Sequence, residues 1–146
     1  MQSKFLIING PNLNMLGKRE PEIYGRETLE DIRKYTNSLL AQNYPKVTTE
    51  WFQSNLEGEI VSKIQSLHGS DFKGLIINPG AYSHTSVAIL DALKILKIPI
   101  VEVHLSNTHS REDFRAKRLS AMQATIVLEG LGKKAYYVGL LSLLLD

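Results

Sequence analysis

Glu102 and His104 lie two residues apart in an apolar segment, so on a strand their side chains point to the same face. A carboxylate beside a histidine fixes the tautomer of the imidazole and raises its pKa, which suits a general acid near neutral pH. The same pattern is found where a histidine only satisfies a hydrogen bond in the core. The position at the end of an apolar run favours the catalytic interpretation.

A tyrosine flanked by arginines could act as the base. Tyr24 lies between Arg19 and Arg26 at the end of a segment, residues 10–25, that has neither helical nor strand periodicity. Positive charge nearby favours phenolate and lowers a tyrosine pKa from about 10, and phenolate is a competent general base. A connection of this length is often a lid or a binding loop. The alternative is that Tyr24 packs against the loop while the arginines face water.

A run of arginines could bind an anion. Arg111, Arg115 and Arg118 have the spacing i, i+4 and i+7, which predicts one face of a short helix capped by Ser110. Guanidinium groups bind carboxylates and phosphates through paired hydrogen bonds. A solvated basic face is the commoner origin of such a run. Because this run follows His104, we favour capture of a carboxylate or phosphate.

The elements that must position these residues alternate along the chain. Apolar, β-branched runs predict five strands, at 5–8, 47–52, 75–77, 99–103 and 124–128. Helical periodicity fills the intervals, with a capping box of Thr28 and Asp31, a cap at Asn55, and helices over 87–96 and 133–145. This alternation predicts an α/β fold, a flavodoxin-like three-layer αβα sandwich with a five-stranded parallel sheet of order 2-1-3-4-5.

In such open sheets, ligands bind beyond the carboxyl ends of the strands, near the switch point between strands one and three. The unusual polar segments of this sequence follow strands one, three and four: 9–12, 78–84 and 102–107. The fold therefore predicts one site that gathers residues from all three segments.

Length and composition exclude several classes of protein. The 146 residues fit one catalytic domain, 1–146, and are too few for a (β/α)8 barrel of about 250 residues. A net charge of +2 is too small to indicate a nucleic-acid binder, and no apolar stretch is long enough to span a membrane. The absence of cysteine excludes disulfides and thiolate chemistry. We expect a cytoplasmic protein.

Motifs for metals and nucleotides are also missing. The histidines lack a ligand spacing such as H-E-x-x-H, and neither a P-loop nor G-x-G-x-x-G follows the first strand. Because these motifs are missing, we predict no metal site and no dinucleotide site. Two alternatives to an acid–base enzyme nevertheless stay open at this point: a non-catalytic flavodoxin-like module that binds a small anion, and an enzyme that binds a nucleotide or flavin.

Three motifs together resemble one family, the type II 3-dehydroquinate dehydratases. They are NGPNLNMLGKREPEIYG at 9–25, NPGAYSHTS at 78–86 and EVHLSN at 102–107. The resemblance implies reversible dehydration of 3-dehydroquinate to 3-dehydroshikimate in the shikimate pathway, by anti elimination through an enolate. It implies no metal and no organic cofactor, and a homo-oligomer, a dodecamer built as a tetramer of trimers.

The resemblance also implies roles for single residues. Tyr24 would remove the C2 proton, Arg19 would lower the pKa of Tyr24, and Asn12 would position a water that stabilises the enolate oxygen. His104 would protonate the departing C1 hydroxyl, with Glu102 orienting the site. The implied substrate-binding residues are Asn78, Ala81, His84, Asp91 and Arg115, the backbone of Leu105 and Ser106, and the neighbouring Arg111.

Overall fold

A computed structural model describes residues 2–18 and 20–145, without the side chains of residues 23 and 24. Its centre is a five-stranded parallel sheet of order β2-β1-β3-β4-β5, which confirms the predicted topology. The strands are β1 (Ser3–Asn9), β2 (Val47–Gln53), β3 (Gly74–Asn78), β4 (Ile100–His104) and β5 (Ile126–Glu129).

The central strand β1 is apolar on both faces because both faces are covered. Leu6 and Ile8 pack on one side of β1, and Phe5 and Ile7 pack on the other. Such continuous apolar runs are typical of parallel strands between two helical layers. The core therefore consists of two clusters, one on each side of the sheet.

Helices supply the outer layers. In the described part of the chain they are α1 (Pro21–Tyr24), α2 (Leu29–Asn43), α3 (Glu57–Gln65), α4 (Val87–Leu93) and α5 (Ala135–Leu144). The helices α3 and α4 cover one face of the sheet, and α2 and α5 cover the other. Residues 2–18 and 20–145 contain no helix with the length and apolar content required to cross a bilayer.

The predicted start of α2 is confirmed. The Thr28 N–H donates to Asp31 Oδ2 at 3.0 Å, and the Asp31 N–H donates to Thr28 Oγ1 at 3.1 Å, which completes a capping box. The helix then buries Ile32 and Leu40 against the sheet.

The predicted cap of the next helix is wrong. Asn55 does not cap α3, which begins at Glu57, because the Asn55 side chain reaches the loop after β1 instead. Its Oδ1 accepts a hydrogen bond from the Asn12 N–H at 3.0 Å. The polar group at the entry to α3 is Ser54, whose Oγ accepts from the Leu56 N–H at 2.9 Å.

The predicted basic helix after β4 is also wrong. Two separate 3₁₀ turns, Thr108–Ser110 and Asp113–Ala116, replace it, so the three arginines do not share a helical face. Asn107, not Ser110, caps the first turn, accepting from the His109 N–H at 3.1 Å. Asn107 and Ser110 compete with a regular helix by bonding the nearby backbone, which favours short turns.

Candidate active site

A pocket lies at the carboxyl ends of β1, β3 and β4, where the polar segments were predicted to meet. It is lined by Pro11, Asn12, Leu13, Leu16, Asn78, Gly80, Ala81, His84, His104, Leu105, Ser106, Thr108, Arg111 and Arg115. Most of the substrate-binding candidates and two of the proposed catalytic residues, Asn12 and His104, are therefore in one place. The topology of the sheet explains this, because parallel strands end at the same edge.

A close approach of two loops forms one wall of the pocket. The Gly10 N–H donates to the Asn78 carbonyl oxygen at 2.7 Å, and a Cβ atom on Gly10 would lie only 2.4 Å from the Pro79 carbonyl oxygen. Only glycine allows that contact. Asn12 follows in a left-handed conformation with φ of 69°, held by the bond from its N–H to Asn55.

Glu102 and His104 form a buried pair at the end of β4. His104 Nε2 lies 2.8 Å from Glu102 Oε2, and the two residues are 6% and 0% exposed. The prediction that they share a face of the strand is confirmed. Because Glu102 engages Nε2, the other ring nitrogen, Nδ1, is the one left to serve a ligand.

Two serines complete the surroundings of the Glu102 carboxylate. Ser83 Oγ donates to Glu102 Oε2 at 2.9 Å, and Ser120 Oγ donates to Oε1. Burial raises the pKa of the Glu102 carboxyl, but the hydrogen bonds from His104, Ser120 and Ser83 outweigh it and hold that pKa below its usual value. Glu102 is therefore an ionised acceptor at neutral pH, and it fixes the proton of the imidazole on Nε2.

His84 is held through its other ring nitrogen, Nδ1, whereas His104 is held through Nε2. Its ring lies 6.3 Å from that of His104, between centroids, and its Nδ1 donates to the Lys117 carbonyl oxygen at 2.6 Å. Burial lowers the pKa of His84, the bond to Lys117 opposes this, and the nearby positive charge of Arg115 lowers it again. His84 is therefore neutral, with an unprotonated Nε2 that can accept a hydrogen bond from a hydroxyl group.

The two pocket arginines share one acidic partner. Arg115 Nε lies 3.1 Å from Glu112 Oε2, and Arg111 Nε lies 3.8 Å from Glu112 Oε1. Two guanidinium groups therefore line this end of the pocket. Together with the backbone of Leu105 and Ser106, this favours an anionic group on the ligand.

Some predicted site residues lie elsewhere. Asp91 does not line this pocket: it lies on the outer side of α4, its side chain is 66% exposed and its Oδ1 is 4.0 Å from Lys94 Nζ. Arg118 pairs with Glu129 and does not line the pocket either. Arg19 and the side chain of Tyr24 lie outside the described residues.

Three residues around the site had no clear signal in the sequence. Ser120 comes from a 3₁₀ turn without periodicity, and Tyr136 reaches Asn78 from a helix 58 positions further along the chain. Thr108 lies in the pocket wall because the backbone turns sharply after Asn107. In the described part of the chain, no three acidic or histidine side chains are grouped closely enough to hold a metal ion.

An ion pair fixes the segment that carries the pocket arginines. Arg118 pairs with Glu129, which also accepts from the Thr108 N–H at 3.0 Å. Burial raises the pKa of the Glu129 carboxyl, but the hydrogen bonds from Arg118, His109 and Thr108 reduce it to about 2. The pair connects β5 to the segment that carries Arg111 and Arg115.

We expect Glu129→Gln to lower the free energy of unfolding at pH 7 by about 1–3 kcal/mol, because the variant loses charge-assisted hydrogen bonds. Since the pKa of Glu129 is lower in the folded than in the unfolded state, this stabilisation is complete above about pH 4.5 and decreases as the pH falls towards 2. Urea unfolding at several pH values measures it. Glu30→Gln, in an exposed pair with Arg33, is the control and should change little. An equal deficit for Glu129→Gln at pH 2.5 and pH 7 would contradict this account.

Comparisons with known proteins agree with the geometry. The family model Dehydroquinase class II matches residues 3–144. The 3-dehydroquinate dehydratase of Helicobacter acinonychis (strain Sheeba) is 46% identical over 140 residues, covering 96% of this chain and 83% of the relative. That of Helicobacter hepaticus (strain ATCC 51449 / 3B1) is 45% identical over 141 residues, covering 97% and 88%.

Solved structures give the same result. The crystal structure of type II dehydroquinase from Butyrivibrio crossotus DSM 2876 superimposes with a TM-score of 0.93 at 40% identity, covering 99% of each chain. That of the type II dehydroquinase from Propionibacterium acnes has a TM-score of 0.91 at 36% identity, covering 100% of this chain and 99% of the other. Family model, relatives and structures agree over nearly the whole length, and the chain therefore belongs to the class II dehydroquinase family.

Proposed function

We propose that this enzyme, a hydro-lyase, converts 3-dehydroquinate reversibly to 3-dehydroshikimate in the shikimate pathway, by anti elimination through an enolate. The observation that carries the mechanism is the buried Glu102–His104 pair in a pocket that also contains Arg111 and Arg115. This pocket combines a proton donor with a binding site for an anion, and 3-dehydroquinate carries both a leaving hydroxyl and a carboxylate.

In this mechanism His104 is the general acid. Glu102 holds Nε2, so the imidazolium donates the proton on Nδ1 to the C1 hydroxyl as the C1–O bond breaks. The ionised Glu102 carboxylate stabilises that imidazolium and keeps the ring oriented. The hydroxyl and the donated proton leave as water.

In this mechanism Tyr24 is the general base. Its phenolate takes the C2 proton, and the electron pair of that C–H bond moves into the enolate at C3 before the C1–O bond breaks. Arg19 favours the phenolate, and a water held by Asn12 stabilises the enolate oxygen. The position of the loop supports this assignment, because Leu13 and Leu16 from the same loop line the pocket.

Substrate binding divides into two parts. The backbone of Leu105 and Ser106, beside Arg111, binds the carboxylate. The ring hydroxyls are bound by Asn78, His84 and Arg115, and Ala81 lines the same wall. None of these steps requires a metal ion or an organic cofactor.

The direct test is an ultraviolet assay of the purified protein. Incubation with 3-dehydroquinate should produce the absorbance of the conjugated enone in the product, and neither EDTA nor borohydride should prevent it. No increase in absorbance at high protein concentration would contradict the proposal and favour a non-catalytic anion-binding module. A yellow preparation, or a thermal shift with flavin mononucleotide, would instead favour a flavin-binding enzyme.

The position of Asp91 bears on assembly. Because its exposed carboxylate is not at the pocket of its own chain, a substrate-binding role for it requires a second copy that brings it there. This agrees with the homo-oligomer that the resemblance implies, a dodecamer of four trimers. A mass in solution corresponding to twelve chains is the expected result.

We expect two inactive variants to complement each other. Asp91→Ala and His104→Ala should each be nearly inactive alone, whereas co-expressed and purified together they should recover a part of the wild-type activity. The recovered sites would combine an intact His104 from one chain with an intact Asp91 from another. Co-expression of His104→Ala with Glu102→Gln, which damages the same pair, is the control and should show no more activity than the two variants have separately. An equal gain over the separate variants in both mixtures would exclude a shared site.

A further inference from the structure

A fully buried tyrosine contacts the pocket from behind. Tyr136 of α5 is 0% exposed, and its phenol oxygen accepts a hydrogen bond from Asn78 Nδ2 at 3.1 Å. The phenol in turn donates its proton to Asn9 Oδ1. Asn9 and Asn78 are paired across β1 and β3, so Tyr136 bridges the ends of the two strands that flank the switch point.

These contacts define which way the Asn78 amide faces. Its Oδ1 accepts from the Gly80 N–H at 3.2 Å, and one hydrogen of Nδ2 goes to Tyr136. The second hydrogen of Nδ2 is left for a ligand in the pocket, which Asn78 lines. A flipped amide would place its nitrogen against the Gly80 N–H and its oxygen against the phenol oxygen, and it would lose both bonds.

The direction of the bonds depends on the single proton of the phenol. Since that proton goes to Asn9 Oδ1, the phenol oxygen offers Asn78 only an acceptor. Burial raises the pKa of Tyr136 well above its usual value, so the phenol keeps its proton at neutral pH. The amide of Asn78 must therefore present nitrogen, not oxygen, to Tyr136.

We propose that Tyr136 is a positioning residue for substrate binding, which fixes the Asn78 amide so that an N–H group faces a substrate hydroxyl. This inference rests on the proposed function. It makes the polar wall of the pocket complementary: Asn78 donates a hydrogen bond, whereas the neutral His84 accepts one through Nε2. A ring with two hydroxyls in fixed orientations fits such a wall.

Tyr136→Phe tests the inference. The variant keeps the ring and its packing on Trp51, at 5.0 Å between centroids, and removes only the hydroxyl. We expect KM for 3-dehydroquinate to rise about tenfold with kcat changed less than threefold, because a binding interaction made before and during the reaction is lost. A purely structural role predicts the reverse: partial unfolding lowers the active fraction, and hence the apparent kcat, at constant KM.

Leu140→Val is the matched control. Leu140 lies one turn further along α5, is equally buried and has no polar side-chain atom that could hydrogen-bond to Asn78. The Leu140→Val variant should have a lower melting temperature and an unchanged KM. A tenfold rise in KM for Leu140→Val as well would overturn the inference, because general loosening of the core would then explain both variants.

Two further variants settle the outcome. In the Asn78→Ala background, Tyr136→Phe should raise KM less than twofold further, because the amide that Tyr136 orients is absent. A further tenfold rise would overturn the inference. Asn9→Ala, which leaves Tyr136 and Asn78 intact, frees the phenol proton and should also raise KM, even if Tyr136→Phe does not fold. An active Asn9→Ala enzyme with unchanged KM would overturn the inference but leave the proposed function intact. An inactive wild-type protein would overturn both.

Discussion

Replacing His104 with alanine should lower kcat by roughly 10²–10⁴, the usual contribution of a general acid. The fold should be retained, because His104 lies at the end of β4, where the main-chain pairing of the sheet does not depend on its side chain. Without the imidazolium, the C1 hydroxyl must leave as hydroxide or take its proton from water. Stopped assays at saturating 3-dehydroquinate, with circular dichroism of the same samples, measure both parts of the expectation.

Two matched variants define what the His104 result means. His68→Ala replaces an exposed histidine away from the pocket and should leave kcat unchanged. Glu102→Gln keeps the imidazole but removes the charge that stabilises its protonated form, so kcat should fall less than in His104→Ala. Unchanged turnover of a folded His104→Ala enzyme would remove His104 from the role of acid.

The second large effect is expected at Tyr24. In the proposed mechanism Tyr24→Phe removes the phenolate that takes the C2 proton, so kcat should fall by about 10³. Tyr35→Phe is the control: it keeps the ring, over which Lys133 Nζ lies at 4.7 Å, and should have full activity. A non-catalytic module would instead show the same ligand affinity and biological role with and without the Tyr24 hydroxyl.

The proposed action of Arg19 on Tyr24 predicts strong non-additivity. If Arg19 acts by favouring the phenolate, Arg19→Ala should lower kcat in the wild-type enzyme but have almost no further effect in Tyr24→Phe. The double-mutant cycle therefore separates support of the base from an independent function of Arg19. Simple additivity of the two losses would assign Arg19 a different role.

The parts of the fold that follow from local periodicity were predictable. The five apolar runs became five strands in the predicted order, because a parallel sheet covered on both faces requires continuous apolar strands. The capping box of Thr28 and Asp31 was equally clear, since it involves only residues three positions apart. The same is true of the pair Glu102 and His104, whose shared face follows from the strand alone.

Features that depend on distant partners were not predictable. Asn55 has the residue type of a helix cap, but a donor on the loop after β1, the Asn12 N–H, competes for its side chain. Arg118 has helical spacing with Arg115, but the ion pair with Glu129 on β5 draws it away from the pocket. Ser120 supports Glu102 only because the chain returns to β4 after a turn without periodicity. In each case a contact across the fold outweighs the local pattern.

The most direct test of the central claim uses 3-dehydroquinate that carries deuterium at a single, defined C2 position. Mass spectrometry of the 3-dehydroshikimate formed by this enzyme reports which C2 hydrogen is removed. We predict that deuterium anti to the C1 hydroxyl is lost to water and deuterium syn to it is retained. Loss of the syn label, or no dehydration of either substrate, would contradict an anti elimination by Tyr24 and His104.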